Sequence, residues 1–309
     1  MEEKIQIVIL SRDRPGFLRQ TIDSVLNQKI LFGAVEIIIS DNSNKDDVSE
    51  MINRDYSNAN LKYVRRSPSV SLMKHFQLVI SECDAKYTVL FHDDDIMHPN
   101  YIKTMLPVIQ KKGVAAACCN SFIFNSDISK TVGEMHNFKS VKTFTDENDF
   151  LASYIPWSSS GIAPLPGYIY KTEFLKKVKL KKISKVNFSD TLMLNEFIQY
   201  GSIVWVPNFL MYYRVHASNV HLTLHTVDFI SVLNRMSKNG LSKDTFLMPM
   251  RFNYLLIWLL RQDKKNIFSW RNRIVLKYLF FNSFYLMCKK NFWKSFYNRY
   301  IKKHFSKYF

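Results

Sequence analysis

Three adjacent acids, Asp93, Asp94 and Asp95, follow an apolar run in the first third of the chain. Neighbouring carboxylates repel one another, so such a cluster is unfavourable unless a cation offsets its charge. Carboxylate oxygen suits Mg²⁺ and Mn²⁺, which complete their coordination with substrate phosphates. The cluster therefore indicates a divalent metal and a nucleoside diphosphate substrate. The alternative is a solvated turn in which Asp95 caps a helix ahead of Pro99.

The acids end one of three segments that are typical of strands buried on both faces of a sheet. These near-continuous apolar runs are residues 5–10, 35–39 and 87–91. Between the first two runs, apolar residues recur at the i, i+4, i+7 and i+8 spacing of a helix, at Leu18, Ile22, Val25 and Leu26. Strand, helix and strand in this order predict a right-handed crossover and a parallel sheet.

Polar residues follow each of these runs, at residues 11–15, 41–44 and 92–95. In open α/β sheets, ligands bind outside the carboxyl ends of the strands. We therefore expect the three polar segments to meet in one crevice, which is where the chemistry would take place.

Five ordered motifs within residues 4–220 resemble the inverting glycosyltransferases of family 2, which have the GT-A fold. Residues 7–15 (IVILSRDRP) and 36–46 (EIIISDNSNKD) are similar to the first two strands and turns of that family, and residues 92–95 before Pro99 to its DxD-type metal motif. Residues 188–194 (FSDTLML) and 212–219 (YYRVHASN) resemble its catalytic-base and YRxHxxN segments. The resemblance implies an α/β, Rossmann-like, mostly parallel central sheet flanked by helices, followed here by a C-terminal helical extension.

The resemblance also implies roles for individual residues. Asp190 would be the catalytic base that deprotonates the acceptor hydroxyl, although a plain helix N-cap is the alternative. The ion, Mn²⁺ or Mg²⁺, would be held by Asp94, Asp95 and His216. In the bound nucleotide-sugar donor, Asp41 would read uracil and ribose, and Arg214 would lie near the diphosphate. The full set of residues expected to bind this donor is Ser11, Arg12, Asp13, Asp41, Asp93 and Arg214.

Two departures from the common family pattern affect these roles. His92 stands where the first acid of the metal motif often lies, so the division of labour among the three acids is open. Ser189 replaces the first of two consecutive acids, so an auxiliary contact to the acceptor is missing or altered.

The implied activity is transfer of a sugar, with inversion, from a nucleotide-sugar to a hydroxyl group. UDP-sugar is the favoured donor, and the acceptor would be a saccharide or lipid-linked saccharide in cell-surface polysaccharide or lipooligosaccharide synthesis. We expect acceptor contacts from Trp157, Gly167 and Tyr168, because an aromatic face can stack on a sugar ring. Trp157 is equally compatible with a core position.

The predicted organisation is a catalytic domain over residues 1–225 and a basic, aromatic helical region over residues 226–309. Residues 1–100 would form the nucleotide-binding half and residues 101–225 the acceptor-binding half. Of the net charge of +17, most belongs to residues 261–309, which hold thirteen Lys and Arg and one acid.

The end of the chain predicts one amphipathic helix. Between residues 293 and 308, aromatic residues recur at helical spacing, and Lys and Arg occupy the other face. Such a helix suits the plane of an anionic membrane. The alternative is packing on the protein's own core or on a second copy in a homodimer. The apolar runs 253–260 and 274–288 are shorter than the ~20 residues of a membrane span.

Composition bounds the location and the competing functions. The four cysteines form no zinc or disulfide pattern, and the acidic N-terminus does not resemble a signal peptide, so we expect a cytoplasmic protein on the inner face of the cell membrane. A nucleotidyltransferase acting on a sugar phosphate would typically have a glycine-rich loop, but residues 11–16 hold one glycine. A non-catalytic basic protein that binds membrane or nucleic acid would leave the ordered acids unexplained, so no nucleic acid partner is expected.

Overall fold

A computed structural model describes residues 4–29, 35–154, 163–178 and 189–216, with isolated positions at 255, 276–277, 279–281, 288 and 293. The chain divides into two compact units. The first comprises Met1–Phe150, Ser160–Lys182 and Asp190–Ala217, and the second comprises Leu151–Ser159, Ile183–Ser189 and Ser218–Phe309. The sheet and the site below belong to the first unit. The predicted boundary at residue 225 stays a prediction.

The described residues form ten strands and seven α-helices. The strands are β1 Ile5–Ser11, β2 Val35–Asp41, β3 Lys62–Arg65, β4 Tyr87–His92, β5 Ile96–Met97, β6 Val114–Phe124, β7 Thr131–Glu134, β8 Lys142–Phe144, β9 Tyr168–Lys171 and β10 Ser202–Arg214. The helices are α1 Pro15–Leu26, α2 Asp47–Asp55, α3 Leu72–Glu82, α4 Tyr101–Ile109, α5 Glu147–Tyr154, α6 Thr172–Leu175 and α7 Ser189–Glu196. Single 3₁₀ turns cover Leu165–Gly167 and Phe197–Gln199.

All ten strands belong to one sheet, whose main order is β3-β2-β1-β4-β9-β6-β10-β5. The first four of these strands run parallel, as do β6 and β10. Strand β9 is antiparallel to both of its neighbours, β4 and β6. The predicted α/β fold with a central sheet and flanking helices is confirmed, and the parallel half is the half that the apolar runs indicated.

The core explains why the first strands form where they do. Every residue of β1 is buried, as expected for a central strand covered on both faces. Helix α1 buries Leu18, Ile22 and Val25, and Pro15 favours its start because proline fixes the backbone angle of a first helical turn. Each predicted strand extends one or two residues beyond its apolar run, so the polar residues that end it are part of the sheet edge.

The predicted amphipathic helix lies outside the described residues, apart from Trp293, whose side chain is exposed. Among the residues that the structure describes, no helix has the length and apolarity needed to cross a membrane.

Candidate active site

Hydrogen bonds join the three polar segments that follow β1, β2 and β4. The amide of Asn42 donates to the carbonyl of Ser11 at 2.9 Å. The amide of Arg12 donates to Asp93 Oδ2 at 2.9 Å, and the amide of Asp13 donates to Ser43 Oγ at 2.7 Å. The predicted convergence at the carboxyl edge of the parallel strands is therefore confirmed.

Asp13 fixes the turn between β1 and α1. Its φ of 54° lies in the left-handed region, where Asp and Asn are tolerated better than other side chains. Its carboxylate accepts the Asn44 amide at 2.9 Å and Asn44 Nδ2 at 3.3 Å. Asp13 thus ties two loops together, while the neighbouring Arg12 side chain is half exposed.

Asp41, at the end of β2, is completely buried and accepts three hydrogen bonds from protein donors. Its Oδ1 accepts the Ser43 amide at 2.9 Å. Its Oδ2 accepts the Tyr63 hydroxyl at 2.7 Å and Arg65 Nη1 at 2.9 Å. Burial and this carboxylate raise the pKa of Tyr63 to about 12, so the phenol stays protonated as a donor. Sequence reasoning missed Tyr63 and Arg65, since no local motif marks them.

The three acids after β4 lie almost entirely below the surface, with exposures of 4% for Asp93, 7% for Asp94 and 0% for Asp95. Nη1 of Arg14 lies 2.7 Å from Asp94 Oδ2 and 3.3 Å from Asp93 Oδ1. Nε2 of His216 lies 2.9 Å from the same Asp94 Oδ2. The structure therefore brings His216 to the acid cluster, as the motifs predicted.

The three acids differ in how readily they ionise. Burial raises the pKa of Asp93 to about 6, and burial together with the neighbouring Asp94 raises the pKa of Asp95 well above its usual range. Burial acts in the same direction on Asp94, but His92, His216 and Arg14 outweigh it, and the pKa of Asp94 is lowered. The acid assigned as the main metal ligand is thus the one that stays ionised most readily.

Side-chain atoms of three residues in the cluster fit the coordination of a divalent ion. One atom each from His92, Asp94 and Asp95 can be chosen so that all three lie within 4.8 Å of one another. Asp95 Oδ2 is buried and has no hydrogen-bond partner among the described residues, and His92 Nδ1 is 3.8 Å away. A buried carboxylate oxygen without a partner is unfavourable, and an ion would satisfy it. His92, which sequence reasoning did not assign as a ligand, therefore belongs to this group.

Arg214 differs from the expectation that it lies ready for a diphosphate. It is 2% exposed, and its Nε donates to the backbone carbonyl of Asp94 at 2.7 Å. Its Nη2 donates to Gln20 Oε1 at 2.7 Å, and its own amide donates to Asp95 Oδ1 at 2.9 Å. These contacts hold the turn that carries the acids.

Two aromatic rings complete the surroundings of Arg214. Its guanidinium carbon lies 4.7 Å from the ring centre of Phe17 and 4.4 Å from that of Phe124. Both distances are within the range of favourable cation–π contacts. The guanidinium is therefore enclosed by α1 and β6, which gives Arg214 a structural role, and the expected phosphate contact stays a prediction.

The structure places Gly167 and Tyr168, the residues expected to contact the acceptor, inside the protein. Tyr168 is fully buried, and its hydroxyl accepts Trp205 Nε1 at 2.6 Å. Gly167 is buried as well, and a Cβ atom there would lie 3.1 Å from Cys118 Sγ, closer than ordinary packing allows. Both residues belong to the core because Tyr168 begins β9, which lies inside the sheet, and Gly167 directly precedes it.

Two predicted residues are not placed at the site by the structure. Trp157 lies outside the described residues. Asp190 lies in the first turn of α7, and its side chain is not among those described. Their roles stay predictions.

Comparisons with known proteins agree with this geometry. The family model described as glycosyl transferase family 2 matches residues 6–165, and no curated protein matches. Among solved structures, S. aureus TarS 1–349 in complex with UDP-GlcNAc has a TM-score of 0.63 at 14% identity, covering 89% of this chain and 81% of that one. The mannosyltransferase PcManGT from Pyrobaculum calidifontis, in complex with GDP-Man and Mn²⁺, has a TM-score of 0.54 at 9% identity, covering 96% and 87%. At these identities, the similarity to solved structures establishes the fold.

Proposed function

This chain belongs to glycosyl transferase family 2, and from that premise we propose that it transfers one sugar from a UDP-sugar to a hydroxyl group, with inversion. The observation that carries the proposal is the cluster of Asp93, Asp94 and Asp95 with two imidazoles at the carboxyl edge of the sheet. The similar TarS structure contains UDP-GlcNAc, and the similar mannosyltransferase contains GDP-Man and Mn²⁺.

The residues that would hold a divalent ion are His92, Asp94 and Asp95, with His216 beside Asp94. When bound, Mn²⁺ or Mg²⁺ would supply positive charge that stabilises the leaving diphosphate. Arg214 supports this group from behind by holding the Asp94 carbonyl and the Asp95 carboxylate through its own N–H groups.

We assign the nucleoside to the crevice bordered by the ends of β1, β2 and β3. Asp41 would read uracil and ribose there, and its carboxylate also orients Tyr63 and Arg65 toward this end of the sheet. Ser11 ends β1, Arg12 and Asp13 belong to the adjoining loop, and Asp93 fixes that loop through the Arg12 amide. The donor would thus lie on a preformed floor, which reduces the ordering needed on binding.

We assign general-base catalysis to Asp190 at the start of α7. The carboxylate would accept the proton of the acceptor hydroxyl as that oxygen attacks the anomeric carbon, while the diphosphate leaves from the opposite face. A single displacement of this kind inverts the anomeric configuration.

For the acceptor, we propose a saccharide or lipid-linked saccharide of a cell-surface polysaccharide or lipooligosaccharide. The basic, aromatic sequence near the C-terminus supports this choice, because it would hold the enzyme at an anionic membrane where lipid-linked acceptors lie. The location that follows is the cytoplasmic face of the membrane.

Thermal unfolding with UDP, Mn²⁺ or both tests the proposal. Ligands that bind the folded state raise the unfolding temperature, so UDP with Mn²⁺ should stabilise the protein more than either alone. Asp94→Ala should lose this stabilisation and sugar transfer. Asp127→Ala, which removes an exposed acid after β6, should keep both.

Two outcomes would contradict the proposal. Stabilisation by an oligonucleotide but not by UDP with Mn²⁺ would favour a nucleic-acid-binding protein. Release of pyrophosphate from a nucleoside triphosphate and a sugar phosphate, without release of UDP from a UDP-sugar, would favour a nucleotidyltransferase.

A further inference from the structure

Arg14 occupies a place at the acid cluster that no sequence motif assigned to it. It is the residue before α1, and its Nη1 lies 2.7 Å from Asp94 Oδ2 and 3.3 Å from Asp93 Oδ1. The carboxylates are nearly buried, whereas 31% of the Arg14 side chain is exposed. The guanidinium therefore covers the acids from the solvent side.

Arg14 and a divalent ion would compete for the negative charge of the Asp94 carboxylate. Asp94 is central to the group of residues that can hold an ion, and its Oδ2 is the oxygen that Arg14 contacts. Two cations on one carboxylate repel each other, and the repulsion is strong where burial limits screening by water. Ion binding would therefore be opposed as long as Arg14 keeps its present position.

The main chain of Arg14, and not its side chain, holds the start of α1. Its backbone carbonyl accepts the Leu18 amide at 3.0 Å, which anchors the main chain. Its side chain makes no capping hydrogen bond to α1. Arg214, in contrast, is enclosed and committed to protein acceptors. Of these two guanidinium groups, only that of Arg14 is placed to exchange.

We propose that Arg14 is an exchangeable counter-ion: it neutralises Asp93 and Asp94 in the unloaded enzyme, gives way to the divalent ion, and then pairs with the diphosphate of the donor. The inference rests on the proposed function for the ion and the donor. A diphosphate is a suitable second partner, because the planar guanidinium donates bidentately to phosphate oxygens. Ion and donor should therefore bind cooperatively, each increasing the affinity for the other.

Calorimetric titration with Mn²⁺, without nucleotide and with saturating UDP, tests the inference. Arg14→Met should bind Mn²⁺ alone about tenfold more tightly than wild type, because a charged competitor is removed. UDP should then increase its Mn²⁺ affinity less than in wild type. The matched control is Arg19→Met, which removes the same charge from the outer face of α1, where Arg19 pairs with Asp55. Arg19→Met should bind Mn²⁺ with the same affinity as wild type, both without nucleotide and with UDP.

Urea unfolding gives an independent measurement. Without Mn²⁺, Arg14→Met should be less stable than wild type, because the acids lose their counter-charge, and saturating Mn²⁺ should remove the difference. Arg14→Lys keeps the charge, so its affinity for Mn²⁺ without nucleotide should be close to that of wild type.

Equal or weaker Mn²⁺ affinity in Arg14→Met than in Arg19→Met would overturn the inference while leaving the ion site intact. If wild type and every variant failed to bind Mn²⁺ even with UDP, the proposed function itself would be wrong, and the two failures are therefore distinguishable.

Discussion

Replacing Arg214 with methionine separates a structural role from a phosphate-binding role. Methionine has a similar length and fits the apolar space between Phe17 and Phe124, but it cannot donate to the Asp94 carbonyl or to Gln20. If Arg214 supports the acid turn, the variant should lose stability in the absence of any ligand.

The expected loss can be estimated from the contacts. Two hydrogen bonds from a charged donor, one buried and one partly buried, contribute about 1.5–3 kcal/mol each, and the cation–π contacts add about 0.5–2 kcal/mol. Removing the guanidinium also removes the unfavourable desolvation of a buried charge, which offsets part of this sum. We therefore expect a decrease of about 3 kcal/mol in the free energy of unfolding, within the usual 5–15 kcal/mol of a folded domain.

Urea unfolding followed by circular dichroism measures this difference. Arg54→Met is a suitable control, because Arg54 is an exposed residue that pairs with its neighbour Asp55, and it should unfold at the same urea concentration as wild type. An Arg214→Met variant with unchanged stability but weakened UDP binding would refute the structural role and restore the phosphate contact.

The remaining predictions concern the proposed base, a buried histidine and the C-terminal tail. Asp190→Asn should lower turnover about 10²-fold or more with donor affinity nearly unchanged; an equal loss of UDP affinity in the titration would refute the assignment. Burial and the nearby Arg66 lower the pKa of His75 to about 4, against about 6.5 in the unfolded chain. Because the folded state then binds fewer protons, His75 should reduce stability as the pH falls from 6.5 to 4, by at most ~3 kcal/mol. Urea unfolding at pH 7 and pH 5 should show a weaker pH dependence in His75→Gln than in wild type, and identical dependence would contradict this. Removal of residues 290–309 should abolish binding to anionic liposomes; unchanged sedimentation with liposomes would exclude the membrane role.

The parallel half of the sheet could be predicted from the sequence because its signals are local. A strand covered on both faces is expected to be largely apolar, and β1 and β4 show this, with Gln6 and Thr88 as buried polar exceptions within their runs. The place of β9 could not be predicted in the same way. It is a four-residue strand inserted antiparallel between β4 and β6, and only tertiary packing decides that insertion.

In the candidate site, too, some features could be predicted from local motifs and others depend on tertiary packing. The motifs predicted that His216 meets Asp94, although 122 positions separate them. They did not predict that Arg14 contacts the acids, or that Arg214 turns inward, because both depend on which direction a long side chain takes. Tyr168 was assigned to the acceptor by its neighbourhood in the sequence, whereas its burial depends on the strands on either side of it.

The irregular middle of β10 sets the direction in which its last residues point. Its pairing with β6 shifts register between Trp205 and Phe209, and again between Phe209 and Met211. Side chains alternate between the two faces of a strand, so one residue more or fewer in this stretch would turn Arg214 away from the acids. Natural variants of this enzyme should therefore rarely gain or lose a residue within this stretch.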